Sequence, residues 1–222
     1  MAEAFLDWVA CGDQSKVEAY LAGGGDVEYR ARSDRNNKDV REGDTGLTLA
    51  ASHNKVEIMR ELFCCGADIE GKNSIGSTAL MIASERGHVD IVRLLLERNA
   101  DINVRHEDGW TALMIAASER GHVDIVRLLL ERNADINLQN KNGGTALMIA
   151  SAKGHADIVT LIENQSRWSR RKHLIMMLVE IEYLPSSSVS PTSSLDESYY
   201  SRLDHLTVLG NPRLVRHIVS YI

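Results

Sequence analysis

Between residues 78 and 103 the apolar positions come in two short bursts. The first, Thr78–Arg86, carries Leu80, Ile82 and Ala83; the second, Val89–Arg98, carries Ile91, Val92, Leu94, Leu95 and Leu96. Spacings of three and four put such residues on one side of a helix, so the pattern predicts a pair of short helices. Thr78 is placed to accept from the first free N–H groups of its helix, and Gly87 can adopt the left-handed conformation that ends it. Asn99 follows the second burst; after glycine, asparagine tolerates that conformation best. A polar, turn-rich stretch, "ADINVRHEDGW", closes the segment, with Asp108-Gly109 as a turn signal.

This segment is repeated. Residues 84–103 and 118–137 are the same twenty-residue string, "SERGHVDIVRLLLERNADIN". The leading threonines, Thr45, Thr78, Thr111 and Thr145, lie 33, 33 and 34 residues apart. Two helices of this length cannot seal their own apolar faces, so each unit needs a neighbour to bury against. A catalytic centre needs unlike groups converging on one point, and copying one segment does not build it.

The units "GSTALMIASERGH", "GWTALMIAASERGH" and "GGTALMIASAKGH", with "GADIE" and "NADIN" after the second helix, resemble the ankyrin repeat. The resemblance covers roughly residues 5–165. It implies an all-α solenoid of stacked helix-turn-helix units with β-turn fingers, to which the chain adds a short helical C-terminal extension. On this reading residues 1–165 form the array. An N-terminal cap unit occupies about 5–30, an enlarged finger about 29–43, and repeats about 43–75, 76–108, 109–142 and 143–165. A capping helix is expected over 166–184, a serine-rich linker over 185–200 and a helical tail over 201–222.

The family's Pro and His are absent from the loop tetrapeptide, which reads "TALM" three times and "TGLT" once. Each loss is expected to cost about 0.5–1 kcal/mol per repeat, leaving a modestly stable array. Thr111 to His122 spans one position more than Thr78 to His88, and the surplus is expected near Ala117–Gly121. Asp26 to Thr45 is also nine residues longer than elsewhere, which predicts a large polar finger.

Composition narrows the function. Net charge is −6, giving no general attraction to nucleic acid. The longest apolar runs, Leu174–Val179 among them, are six residues, far below the roughly 20 that cross a membrane. The N-terminus lacks the basic and apolar pattern of a signal peptide. Three cysteines, Cys11 and the adjacent Cys64 and Cys65, fit a reducing compartment better than a disulfide framework. A cytoplasmic or nuclear location is expected.

Candidate chemistry is sparse. His88, His122 and His155 occupy equivalent positions, about 10 Å apart in a stack, too far to share a metal ion. Their expected role is backbone bonding at the helix–helix turn. No phosphate-binding, zinc-hydrolase or nucleophile-elbow motif occurs, so no catalytic residue, metal or cofactor is assigned and the chain is read as non-enzymatic. The expected partner is another protein, bound by a monomer through the concave inner-helix face and the finger tips. Trp110 stands where the other units have Asp44, Ser77 and Gly144, and a large aromatic at a variable position is a candidate hot spot. Lys72, Ile75, His106, Glu107 and Gln139 would share that edge; Glu85, Arg86, Glu119 and Arg120 are candidate contacts at the inner-helix ends.

Two further readings concern the C-terminal region. "NPRLVRHIVSYI" (211–222) reads first as an amphipathic tail helix docking on the array; it is also similar to the opening helix of an F-box, which would make the chain a substrate adaptor of a ubiquitin ligase. "RWSRRK" (167–172) reads as a solvated helix start, with nuclear import or an acidic partner as the alternative, and Ser190, before Pro191, is a candidate for phosphorylation.

Overall fold

Each leading threonine starts a helix by the same local device. In the computed structural model Thr45, Thr78, Thr111 and Thr145 are all extended, and each hydroxyl accepts the backbone N–H three residues on. The helices so started are α3 (Gly46–Ser52), α5 (Ala79–Arg86), α7 (Ala112–Ala116) and α9 (Ala146–Lys153). The second burst of each unit gives α4 (Val56–Cys64), α6 (Val89–Glu97), α8 (Val123–Glu131) and α10 over 156–167. Upstream, α1 (Ala2–Cys11) and α2 (Gln14–Ala22) form the first pair, with the Asp13 side chain capping α2. The structure describes residues 2–32, 40, 42–118 and 120–167.

The odd-numbered helices pack in file, α1 on α3, α3 on α5, α5 on α7 and α7 on α9. The even ones form a second layer, α2 on α4, α4 on α6 and α6 on α8. Between the layers lies one apolar core, including Leu49, Met59, Leu62, Met81, Ile91, Leu95, Leu113, Met114, Ile125 and Leu129. Burying one such side chain is worth about 1.5–3 kcal/mol, and neighbouring hairpins share in covering it. The chain divides into two compact units, 1–171 and 172–222, and the described residues belong to the first. The linker, tail and F-box-like stretch read from the sequence, Ser190, and all of the capping helix and of 167–172 beyond Arg167 lie outside the described residues.

Asn99 and Asn133 take up the left-handed conformation anticipated for them, at φ 60° and 61°. Gly87, at φ +79°, has a second reason to be glycine: a Cβ there would stand 2.5 Å from the ring of His122 in the next unit.

The irregularities fall in turns. α7 stops at Ala116, and the His122 N–H reaches Ala116 O, where His88 reaches Ala83 O and His155 reaches Ala150 O. The extra residue is thus absorbed between Ala117 and Gly121, and the partner helix keeps its register. In the enlarged finger the base is the same as elsewhere: Ala31 N–H donates to Asp44 O and Gly43 N–H to Ala31 O. The normal fingers close from Asn73 to Ser77, from His106 to Trp110 and from Asn140 to Gly144.

The expected loss at the tetrapeptide is offset at one place. In "TGLT", Thr48 Oγ1 accepts the Thr45 N–H at 2.8 Å while Thr45 Oγ1 accepts the Thr48 N–H, a reciprocal cap. Met81, Met114 and Met148 stand at the matching positions and offer no such acceptor.

Candidate functional site: the inner-helix face and the finger edge

Neighbouring fingers are tied by two ladders of hydrogen bonds from side chain to backbone. Glu28, Glu70 and Asn103 accept the N–H groups of Asp68, Asp101 and Asp135, at 2.7, 2.7 and 2.9 Å. Two residues further on, Arg30, Lys72 and Arg105 donate to the carbonyls of Lys72, Arg105 and Gln139. Glu70 is desolvated by its neighbours, which holds its carboxyl above the usual carboxylate value, against the pull of the Asp101 N–H. The fingers are therefore a bonded edge, to which Gln139 belongs through its backbone carbonyl and Lys72 through both its carbonyl and its ammonium.

Trp110 lies on this edge but only half exposed, packed against the core. His106 takes the place of Asn73 and Asn140, whose side chains each accept two finger N–H groups. Its Nδ1 accepts from Asp108 N–H at 3.1 Å, and the Asp108 carboxylate sits 3.9 Å away. Glu107 is exposed and lies over the preceding finger, where a Cβ on Gly76 would meet its Cγ at 2.9 Å. Ile75 is 46% exposed, a large apolar side chain held in solvent at a finger tip.

Glu85 and Arg86 are at the far end of α5, and Arg120 at the corresponding end of the turn after α7; all three are exposed. Glu119 lies outside the described residues. A helix the length of Thr78 to Arg86 spans about 12 Å. The residues proposed from the sequence thus form two groups, one at each end of the inner helices, and not a single patch.

Between the groups runs a feature the sequence reading left unassigned to binding. Ile82, Ile115 and Ile149 are equivalent, each is half-buried, and Ile82 shares a face with Glu85 and Arg86 through the three- and four-residue spacing. The signal was present as the same isoleucine in three "ALMIA" strings. It was read there as core because periodicity does not distinguish the buried side of a short helix from its rim.

The three equivalent histidines are engaged across units. Nε2 of His88, His122 and His155 donates to Ser52 O, Glu85 O and Ser118 O at 3.2, 3.1 and 2.7 Å. Each imidazole therefore clamps the preceding turn to its own, a bond between units and not only at the turn itself. Among the described residues no group of three or more His, Cys, Asp or Glu side chains is placed to hold a metal ion, and no helix is long and apolar enough to cross a membrane. Cys11, Cys64 and Cys65 are free thiols at exposed helix ends.

The family model for ankyrin repeats, three copies, matches residues 8–106 and again 100–171. The chain belongs to the ankyrin-repeat family. Ankyrin repeats are generally non-enzymatic protein–protein interaction modules. No curated protein matches the chain.

Proposed function

We propose that this ankyrin array is a non-enzymatic binding module that holds a partner protein along its inner helices and finger edge. The observation that carries this is the row of half-buried isoleucines, Ile82, Ile115 and Ile149, flanked by exposed Glu85, Arg86 and Arg120 on one side and by Trp110 and Ile75 on the other. Apolar side chains ringed by charges of both signs suit a protein surface, where a few aromatic and aliphatic anchors supply most of the affinity. A net charge of −6 offers no comparable attraction for nucleic acid.

The test is affinity purification of the full chain beside two variants, Trp110→Ala and the charge swap Glu85→Lys/Arg86→Glu, each checked for unchanged helical content. If Trp110 anchors the partner, its removal costs about 2 kcal/mol or more, roughly thirty-fold in affinity. Partners retained by the wild type should then be lost from that variant and reduced in the swap. Equal recovery by all three proteins would place the binding surface elsewhere.

A further inference from the structure

The finger that carries Trp110 is closed by a residue unlike its neighbours, and the difference is one of lone pairs. In the fingers over 73–77 and 140–144 an asparagine oxygen accepts two backbone N–H groups. Asn73 Oδ1 takes those of Ile75 and Ser77, and Asn140 Oδ1 those of Asn142 and Gly144. An amide oxygen has two lone pairs and can hold both. His106 stands at the same place, and a ring nitrogen has only one. Its Nδ1 accepts the Asp108 N–H at 3.1 Å, while the Trp110 N–H has no acceptor among the described residues. The bonds from His106 N–H to Trp110 O and from Gly109 N–H to His106 O are the ones the other two fingers also have. What the side chain adds to them is a single bond.

That bond fixes the state of the imidazole. A backbone N–H can only donate, so Nδ1 carries no proton and the ring is neutral. Beside it one carboxylate faces two ways: Asp108 Oδ2 lies 3.9 Å from His106 Nδ1, and Oδ1 lies 3.6 Å from Lys141 Nζ on the next finger. The histidine side chain is 18% exposed against 66% for Asp108 and 67% for Lys141, so the ring is held while the carboxylate and ammonium can turn. Other charges flank the ring on its own finger, Glu107 and Arg105, the latter engaged to Gln139 O. The preceding finger brings the Lys72 ammonium, on Arg105 O, with residues 73–77 uncharged, and over 139–144 the next finger brings Lys141 alone. A proton arriving at Nδ1 makes it a donor, facing a second donor at 3.1 Å. The acceptor at hand is the Asp108 carboxylate, which exchanges Lys141 for the imidazolium while the Asp108 N–H turns to solvent.

We infer that His106 is a proton-operated latch on the edge that presents Trp110: neutral, it pins the finger through Asp108; protonated, it lets the pin go, and the array loosens its hold on a partner as the pH falls. The consequence for binding rests on the reading of Trp110 as an anchor, whereas the latch itself does not. Histidine is the side chain whose charge changes between about pH 5 and 8, and an anchor that must be ordered at each encounter binds more weakly than one already in place. Asn73 and Asn140 give their fingers no such response. The clamps of His88, His122 and His155 donate from Nε2, a bond the imidazolium also makes, so acid opens the latch and leaves these ties between units in place.

The test is a titration of the isotope-labelled full chain from about pH 8 to about pH 5, followed by NMR at the His106 ring and the Asp108 and Trp110 amides. Both amides should move with the midpoint of the ring. Hydrogen exchange at Asp108, corrected for the intrinsic effect of pH, should quicken about fivefold to tenfold, the scale of one lost hydrogen bond. Asp108→Asn keeps the N–H but removes the charge and should lower the midpoint; Lys141→Ala frees the carboxylate and should raise it. His106→Asn restores the arrangement of the neighbouring fingers, so both amides should be protected and flat with pH. Partner recovery by affinity purification should drop about fivefold between about pH 7.5 and 5.5 for the wild type and hold steady for His106→Asn. Amides that stay flat while the ring titrates, or that titrate equally in His106→Asn, overturn the latch. Recovery that ignores pH in the wild type, or follows it equally in His106→Asn, overturns its link to binding. A partner retained by Trp110→Ala while the amides still follow the ring supports the latch and locates the failure in the reading of Trp110.

Discussion

The third and fifth units share the string "ALMIAS", yet the two copies live in different surroundings. Met81 is 2% exposed and Ser84 fully buried, whereas Met148 is 58% exposed and Ser151 is open to solvent. Helix start and helix stop are the same in both: a threonine cap, then a left-handed glycine at φ +79° or +77°. Local structure in this array is therefore written into each unit, while burial is conferred by the hairpin that follows. A hairpin of this sequence has no fixed contribution to stability; its worth depends on its place in the file.

The sharpest way to break that comparison is to remove the same methionine twice. Met114 is 1% exposed, and Met114→Ala should cost about 2–5 kcal/mol through lost burial and a residual cavity. Met148→Ala, the same change in the next unit, should stay within about 0.5 kcal/mol. Urea unfolding of the two variants against wild type decides it; equal losses would mean that the last hairpin is as well covered as its neighbour.

A second pair separates backbone strain from contact with the next unit. Gly87→Ala forces an L-residue into the left-handed region and also drives a methyl to 2.5 Å from the His122 ring, which would have to give up its bond to Glu85 O. Gly154→Ala meets the same backbone cost with nothing within 4 Å of the new Cβ. The backbone term is about 1–2 kcal/mol. The clash should add about 1–3 kcal/mol at Gly87 alone, visible as a larger drop in the urea midpoint.

What could be read from the sequence follows the same division. Thr78, Gly87, Asn99 and the helical bursts act through bonds within a few residues, and so the period and the caps were legible. The place of the surplus residue after α7 was legible too, because a turn absorbs it at lower cost than a helix. The finger ladders were not. Glu28, Glu70 and Asn103 are chemically unlike, and only the stacked register brings each to the next aspartate N–H. Trp110 illustrates the limit for the site: its variable position was visible, but its half-burial against the core depends on the fold around it. Thr48 is the converse, a residue that departs from its repeat equivalents and thereby restores a cap they lack.

The smallest expected effect contrasts the first outer-layer interface with the later ones. Leu94 is 3% exposed in α6 and Leu128 half-buried in α8, but the equivalent residue in α4 is Glu61. One Glu61 oxygen accepts from Gln14 Nε2, and the other is buried with no hydrogen-bond partner among the described residues. Desolvation raises its carboxyl above the usual 4.5, opposed by Gln14 and reinforced by the nearby carboxylates of Glu18 and Glu57. A raised acid in the folded state holds a proton that the unfolded chain has released, so stability falls as pH climbs from 4.5 through the folded value and is flat above it. Replacing Glu61 by the leucine of the following units removes the desolvated charge and completes the apolar contact between α2 and α4. Glu61→Leu should therefore stabilise the array at neutral pH by about 0.5–2 kcal/mol, with the gain shrinking as the pH is lowered through that window, since the protonated wild type no longer carries the penalty. Urea unfolding across the pH range reads both features; a gain that does not change with pH would assign the effect to packing alone and leave the α2–α4 interface no more sensitive to protons than the rest of the file.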